Sequence, residues 1–556
     1  MAARLSAAHG ITLILLLAAA IGGAQAQIRF EDIAEKAGLK FILRNGAVGE
    51  FHQPELMLGG VAVLDYNNDG CMDIFFTNGA AMPSLKKTGP EFSNRLFRNN
   101  CDGTFTDVTE KAGVAGEGYS MGVAVADYDN DGYPDIFVAG VNRNILYHNR
   151  GDGTFEDVTE KAGLSGRDRQ YGKLWSVAAA WVDVDNDGWL DLVVSNYVQW
   201  DPKVEPTCGL PKRPRYCDPS AYHDTPAKLF RNNHDGTFTD ITDSSGIGAH
   251  LGKGMGVAVA DYDGDGLMDI FVANDSVPNF LFHNLGHGKF EEVAMLAGVA
   301  LNDNGRPVAS MGADFRDFDE DGRPDLIFTA MLNDTFQLFR NTGGSPVFED
   351  ITARAGLALA TRTLTGWGIG LYDFDNDGYK DIFTANSHFP ALEQLQDAPA
   401  DLPNSVFRNL GNGRFVDVSK TAGPDFQIAG QHRCVAFADF DNDGRLDAVV
   451  SNVNGLARLF HNVTSGTGHW LALKLTGTRS NRDGIGAKVE VTLPSGRKLY
   501  NHCTTSVGYA SSSEPLVRFG LGQQTVVKLV RIRWPSGQVQ ELHDVTVDQV
   551  LKVREP

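Results

Sequence analysis

The chain has 556 residues, more than one small domain needs, and its 42% hydrophobic and 21% charged content is that of a globular rather than a disordered protein. A formal net charge of −21 argues against nucleic acid as a partner, since phosphate binding needs clustered Lys and Arg. The 62 glycines suit a turn-rich β protein, and the acid excess suits either a solvated acidic surface or a chain that carries cations.

Residues 1–26 read as an export signal. Arg4 gives a short positive region, ITLILLLAAAI (11–21) an apolar core, and Ala24 and Ala26 the small residues that a signal peptidase reads. A membrane span is the weaker alternative, because the run falls short of the roughly 18–20 apolar residues a span needs. No cysteine follows to take a lipid anchor, and no later segment is apolar enough to span. The mature chain, from near Gln27, is therefore expected to lack a transmembrane segment and to be secreted, periplasmic or extracellular.

A nine-residue motif then recurs seven times: DYNNDGCMD (65–73), DYDNDGYPD (127–135), DVDNDGWLD (183–191), DYDGDGLMD (261–269), DFDEDGRPD (317–325), DFDNDGYKD (373–381) and DFDNDGRLD (439–447). Oxygen side chains at positions 1, 3 and 5, a glycine at 6 for the sharp turn, a backbone carbonyl at 7 and an aspartate at 9 suit a hard cation such as Ca2+. The candidate ligands are Asp65, Asn67, Asp69 and Asp73; Asp127, Asp129, Asp131 and Asp135; Asp183, Asp185, Asp187 and Asp191; Asp261, Asp263, Asp265 and Asp269; Asp317, Asp319, Asp321 and Asp325; Asp373, Asp375, Asp377 and Asp381; and Asp439, Asp441, Asp443 and Asp447. Up to seven Ca2+ are expected, the first loop being the weakest because Asn67 stands at position 3. The aspartate at 9, where an EF-hand has a bidentate glutamate at 12, and the flanking strands disfavour an EF-hand sensor. Asx-turns without metal are the alternative for any one loop. In seven loops, six of them with four aspartates, that reading leaves strong repulsion uncompensated. Seven divalent ions would bring the formal −21 to about −7.

Each motif sits in the same frame. GVAVAD (122–127) precedes it, DIFVAG (135–140), NILYHN (144–149) and GTFEDVTEKAGL (153–164) follow, and together they read as four antiparallel strands. The last unit ends at ARLFHN (457–462) without an outer segment, whereas FEDIAEKAGL (30–39) stands before the first motif. The expected fold is all-β: a seven-bladed β-propeller over 27–465, closed by the N-terminal strand so that no edge is left open, followed by a small separate β domain over 466–556. The six cysteines are accessories. Cys208 and Cys217, which bracket CGLPKRPRYC, are the best disulfide candidates, Cys71 and Cys101 are a second pair, and Cys434 and Cys503 read as free.

In such a blade the loop between the second and third strands lies on the face opposite the motifs. That face carries the length variation, at 79–93, 197–226 and 387–403, and loops on a rigid scaffold are the usual place for binding. The second insertion combines Trp200, Tyr216 and Tyr222 with Lys212, Arg213 and Arg215, a patch suited to an anionic glycan or a partner protein; a disulfide-braced cover over the channel mouth is the plain alternative. His52, Glu55, His432 and Arg433 approach the same face as candidate acid, base and anion clamp, although isolated histidines near strand starts are more often structural. No Gly-x-Ser-x-Gly elbow, HExxH pair or phosphate-cradling loop is present, and no catalytic residue is assigned. SNRDG (480–484) and SSSE (511–514) read as turn chemistry or as functional loops. The expected function is an exported calcium-binding scaffold for extracellular binding or adhesion, with a protein or glycan ligand. The alternative is a propeller enzyme of lyase or dehydratase type acting on sugars, with calcium as a structural or substrate-holding ion.

These motifs resemble the FG-GAP/VCBS repeats of integrin α-subunit propellers and of many secreted bacterial proteins. SNRDGIGAKVEV (480–491), GYASSSEP (508–515), FGLG (519–522) and RWPSG (533–537) resemble the ASPIC/UnbV domain. Together the two parts are similar to the cartilage acidic protein family over nearly all of the mature chain. The resemblance implies a secreted, calcium-binding, matrix- or surface-associated protein with the loop positions above as ligands. It implies no defined reaction.

Overall fold

A computed structural model describes residues 26–556 apart from 211, 346 and 391–397, so the export-signal reading and part of the 387–403 insertion fall outside the described residues. The repeat folds into four-stranded antiparallel sheets whose strands pair in chain order. In the second of them Tyr119–Ala126, Asp135–Val141, Ile145–Asn149 and Phe155–Asp157 pair in turn. The first two strands are buried on both faces, which explains their unbroken runs of small and apolar residues. The fourth strand is shorter than the sequence suggests, three residues followed by one turn of helix, Thr159–Ala162. Asp157 Oδ1 accepts the Thr159 N–H at 3.0 Å, Thr159 Oγ1 accepts the Leu146 N–H at 2.8 Å, and Gly163, at φ 79°, closes the turn in the left-handed region.

Five other sheets keep this strand order, one of them with the 197–226 insertion between its second and third strands and one extended by two short strands from the C-terminal part of the chain. A further one, built from His432–Ala438, Asp447–Asn452 and Arg458–Asn462, takes Phe30–Asp32 from the other end of the chain as its fourth strand, in the register Phe30↔Asn462 and Asp32↔Phe460. Phe30 is fully buried among Phe374, Phe383, Phe426 and Phe460, with ring centroids 5.5–6.4 Å away. Burying one such ring contributes about 2 kcal/mol, which anchors a strand of only three residues.

The first strands of successive sheets lie side by side, and hydrogen bonds from their own backbone or from side chains at the ends of the second strands stitch each repeat to the next. Gly60 N–H donates to Met121 O (2.8 Å), Ser195 Oγ to Met255 O (2.6 Å), Thr329 Oγ1 to Trp367 O (2.9 Å), Ser387 Oγ to His432 O (2.7 Å) and Ser451 Oγ to Gly59 O (2.6 Å). Only glycine fits some of these approaches: a Cβ on Gly312 would lie 2.2 Å from Trp367 O.

Beyond residue 468 two sheets face each other, Val517–Gly522/His469–Thr476/Gln549–Arg554 and Lys498–His502/Lys488–Thr492/Val526–Arg533/Val539–Thr546, around Leu471, Leu473, Val489, Phe519, Ile532 and Trp534. This unit is less separate than its sequence suggests. Between two of its strands the chain leaves the domain and runs among the first strands of the repeats. There Ser511 and Ser512 pair in parallel with Val61 and Ala62. Gly508 N–H donates to Ala313 O at 2.8 Å, Val123 N–H to Ala510 O at 3.2 Å, Phe437 N–H to Ser513 Oγ at 3.1 Å and Ser506 Oγ to Val257 O at 2.8 Å. Tyr509, at the tip, is fully buried and donates its hydroxyl to Met57 O at 2.6 Å. The serines that read as turn formers therefore satisfy backbone groups that the innermost strands would otherwise leave unpaired.

Candidate functional site

The seven motif loops, numbered here in chain order, share one hydrogen-bond plan. In loop two, Asp127 accepts the Asp131 N–H on Oδ1 (3.0 Å) and the Gly132 N–H on Oδ2 (2.7 Å), and Asp131 Oδ1 accepts the Tyr133 N–H (2.9 Å). Asp135, at position 9, accepts the Tyr128 N–H (3.3 Å) and the Asn149 N–H (2.8 Å). Position 6 has φ between 88° and 98° in all seven loops, a conformation that only glycine takes without strain. Position 4 is also left-handed, at φ 56–61° where it is asparagine or glutamate. In four loops the position-4 asparagine reaches the neighbouring loop: Asn68, Asn130, Asn186 and Asn376 donate to the carbonyls of Gly132, Gly188, Gly266 and Gly444.

The donor set fits a hard divalent cation. Carboxylate oxygens of Asp127, Asp129 and Asp135 lie within 4.8 Å of one another, which is compatible with oxygens about 2.3–2.6 Å from a shared Ca2+. One oxygen each of Asp65, Asp185, Asp319 and Asp375 is buried with no hydrogen-bond partner among the described residues. Burial, followed by the neighbouring carboxylates, pushes Asp127 up to about 9, and burial pushes Asp73 to about 8 and Asp183 and Asp317 to about 7. A bound cation reverses that effect.

A further residue converges on several loops that the motif itself does not reveal. It is the side chain just before the asparagine that ends the third strand. In loop six Arg408 holds the outer oxygens of positions 3 and 5, Nε to Asp375 Oδ2 at 2.7 Å and Nη2 to Asp377 Oδ2 at 2.8 Å. Arg340 does the same to Asp319 and Asp321, at 2.6 and 3.1 Å. In loops two, four and seven the position is histidine, and His148, His283 and His461 lie near the carboxylates of positions 3 and 5 and also against the position-9 aspartates Asp135, Asp269 and Asp447, at 3.3, 3.1 and 3.1 Å. The signal was present in the recurring RN or HN at the end of each third strand.

The C-terminal unit covers this loop face with opposite charge. Lys488 Nζ lies 2.5 Å from Asp261 Oδ2, Arg518 Nη1 3.4 Å from Asp439 Oδ2 and Lys474 Nζ 3.7 Å from Asp65 Oδ2. From the SNRDG segment, Asp483 Oδ2 accepts the Asp127 N–H at 2.8 Å and Arg482 N–H donates to Asn130 Oδ1 at 2.8 Å.

On the opposite face three of the four candidate polar residues gather around the 3-10 turn Gln53–Leu56. His52 Nδ1 lies 2.5 Å from Glu205 Oε2, Tyr216 donates to Glu55 Oε2 at 2.8 Å, and Arg433 Nε donates to Leu56 O at 3.2 Å while its guanidinium covers the Trp367 ring at 4.2 Å. His432 does not join them. It is sealed inside its own sheet, and burial, helped by Arg458 and Arg433, lowers it to about 3. Glu205 is the residue that sequence reading missed: it also accepts the Gln53 N–H (2.9 Å) and the Tyr222 hydroxyl (3.1 Å), fastening the 197–226 insertion over the turn. The aromatic and cationic members of that insertion part company. Trp200 and Tyr222 are buried and Tyr216 half-buried, whereas Lys212, Arg213 and Arg215 stay exposed on a hairpin, Cys208–Leu210 with Arg213–Arg215. Disulfides join Cys208 to Cys217 and Cys71 to Cys101; Cys434 and Cys503 are free and buried.

Models of the FG-GAP-like repeat match residues 65–138, 127–194, 220–272, 261–328, 317–384 and 397–450, well over half of the chain. The chain belongs to the FG-GAP-like repeat family. An ASPIC and UnbV model matches residues 477–556. With both domains, this FG-GAP protein is similar to Cartilage acidic protein 1 of Mus musculus and of Homo sapiens, each 26% identical over 500 residues, covering 86% of this chain and 71% or 69% of the relative. Among solved structures it is similar to YCF48 bound to D1 peptide (TM-score 0.41, 9% identity, 79% of this chain and 98% of that one). A second is an Agrocybe aegerita lectin that recognises non-reducing terminal N-acetylglucosamine (TM-score 0.39, 17% identity, 78% and 96%). At such scores nothing those proteins bind transfers to this chain. Among the described residues no helix is long and apolar enough to cross a membrane.

Proposed function

We propose that this chain is an exported, calcium-binding seven-bladed β-propeller scaffold over residues 27–465, with a β domain over 466–556 docked on its loop face, and that it binds an extracellular protein or glycan through the opposite, inserted face. The observation that carries the metal reading is the buried, unpartnered carboxylate oxygen left in loops one, three, five and six. A buried charge without a partner is costly, and a divalent cation at positions 1, 3, 5 and 9 removes that cost. Closure of the ring is supported by the Phe30–Asp32 strand and by the Ser451–Gly59 bond between the last and first repeats.

Calcium that binds only the folded state stabilises it by mass action. Thermal melting in millimolar Ca2+ and in excess chelator should therefore differ by several degrees, and an unchanged midpoint would sink the reading. The lyase alternative needs His52, Glu55, His432 and Arg433 in one open site. With Glu55 2% exposed beneath Tyr216 and His432 sealed away, the geometry favours binding over acid–base chemistry.

A further inference from the structure

The inserted face carries a trough that the buried aromatics do not explain. It runs between the segments 83–85 and 199–206, holds about 690 Å³, and continues through Ser84, Leu85, Asn142 and Lys173 into a second hollow of about 560 Å³. Lys173 and Lys203 line the first part, Lys86 and Arg167 the second. All four are exposed, and none forms an ion pair with the described residues. The disulfide-pinned hairpin of the same insertion presents Lys212, Arg213 and Arg215, equally exposed.

This is unusual for a chain of net charge −21. On the loop face the cations are spent on neighbours, as Lys488 is on Asp261 and Arg408 on Asp375 and Asp377. Of the acidic residues along the trough, Glu117 is engaged by Arg143 at 3.3 Å, Asp201 accepts the Lys203 backbone N–H at 2.9 Å and keeps its charge, and Glu160 is exposed without an ion pair among the described residues. Cations still outnumber carboxylates in the lining, Lys86, Lys87, Arg143, Arg167, Lys173 and Lys203 against Glu117, Glu160 and Asp201, in an elongated hollow that also offers Asn142, Gln199 and Tyr171 as neutral hydrogen-bonding groups.

We infer that this trough and hairpin bind an extended anionic polysaccharide, carboxylated or sulfated. Complementary charge fixes the sign of the ligand, and length favours a chain over a single sugar. A peptide is the poorer fit. The one ribbon in the walls, Arg167–Asp168 with Gly172–Lys173, has strands of two residues, too short an edge for backbone pairing with a peptide, and Trp200 and Tyr222 are buried in the floor rather than open as side-chain pockets. The inference rests on the inserted face being the binding face, and it does not depend on calcium.

The test titrates the full mature chain with heparin, polygalacturonate, poly-L-glutamate and neutral dextran. Heparin or polygalacturonate should bind, more weakly as salt rises. Lys173→Glu/Lys203→Glu/Arg213→Glu should weaken that binding at least 10-fold, while Lys552→Glu, an exposed reversal on the C-terminal unit, leaves it unchanged. Should the triple variant fold poorly, Lys203→Ala/Arg213→Ala gives the same reading through a smaller loss. Binding that survives both variants, poly-L-glutamate binding as tightly as either polysaccharide, or no polysaccharide binding at all would each overturn the inference. The last result leaves the scaffold reading standing, whereas a calcium-independent melt sinks that reading and leaves this one.

Discussion

Asn99 and Phe440 are 341 residues apart, yet the Asn99 side-chain amide donates to the Phe440 carbonyl at 2.9 Å. The same bond recurs from each repeat to the one before it: Asn149 to Tyr66, Asn232 to Tyr128, Asn284 to Val184, Asn341 to Tyr262, Asn409 to Phe318 and Asn462 to Phe374. Each asparagine also donates its own N–H to the position-9 aspartate of its loop, as Asn99 does to Asp73 at 2.8 Å. One side chain therefore ties a motif loop to its neighbour, and Asn99 ties the first repeat to the last.

Asn99→Ala should accordingly cost more than an ordinary polar truncation. It strips the donor from two buried carbonyls, Met72 O and Phe440 O, and leaving a buried group unpaired costs about 1–3 kcal/mol. Denaturant unfolding of Asn99→Ala should show a loss of about 2–4 kcal/mol, and Asn100→Ala, whose bonds to Thr104 and Thr106 are exposed, a loss below about 1 kcal/mol. Equal losses would mean that the seam between first and last repeats contributes nothing special.

Charge coupling between the C-terminal unit and the loops makes a second prediction. Lys488 is the cation beside Asp261, so on the proposed calcium reading Lys488→Ala leaves that carboxylate only the metal to offset its charge. The midpoint drop caused by Lys488→Ala should then be larger in chelator than in Ca2+. A drop of the same size in both conditions would show that the lysine and the metal do not share Asp261.

Much of this was legible in the sequence because it is local and repeated. The nine-residue motif, its flanking strands and the stray FEDIAEKAGL at residue 30 mark the repeats and the borrowed strand. What was hidden depends on packing. SSSE (511–514) reads as turn chemistry or a functional loop because the small residues that fit among crowded inner strands are the same ones that make loops. Trp200 and Tyr222 look like a ligand platform in sequence, but Glu205 and His52 clamp their loop inward. Arg340 and Arg408 sit some twenty to thirty residues from the aspartates they hold, outside any motif window.

The buried tip makes a third prediction. Gly508 has φ 71°, and a Cβ there would lie 2.6 Å from Ile369 O, so Gly508→Ala meets backbone that cannot yield. It should destabilise by about 2 kcal/mol or more, whereas Tyr509→Phe, which loses only the bond to Met57 O, should cost about 1 kcal/mol. Thermal melting ranks the two, and a Gly508→Ala midpoint at or above that of Tyr509→Phe would contradict the placement of this segment.

The last prediction concerns acid. Glu555 is 2% exposed, which alone would raise its carboxyl, but its hydrogen bonds outweigh that burial and hold it at about 2, below the ordinary 4.5. The Ser536 hydroxyl donates to Oε1 at 2.5 Å, and the N–H groups of Ser480, Thr478 and Arg479 donate to Oε2 at 2.9, 2.7 and 2.8 Å. A carboxyl depressed in the folded state stabilises fully above its unfolded value and loses that contribution as pH falls through the folded one. Glu555→Gln should therefore cost about 3 kcal/mol near pH 7, and the gap to the parent should narrow from about pH 4.5 toward pH 2. Melting both proteins from pH 7 to pH 3 checks this. A gap that stays constant would mean the glutamate acts by shape alone and its charge does not hold the final strand in place.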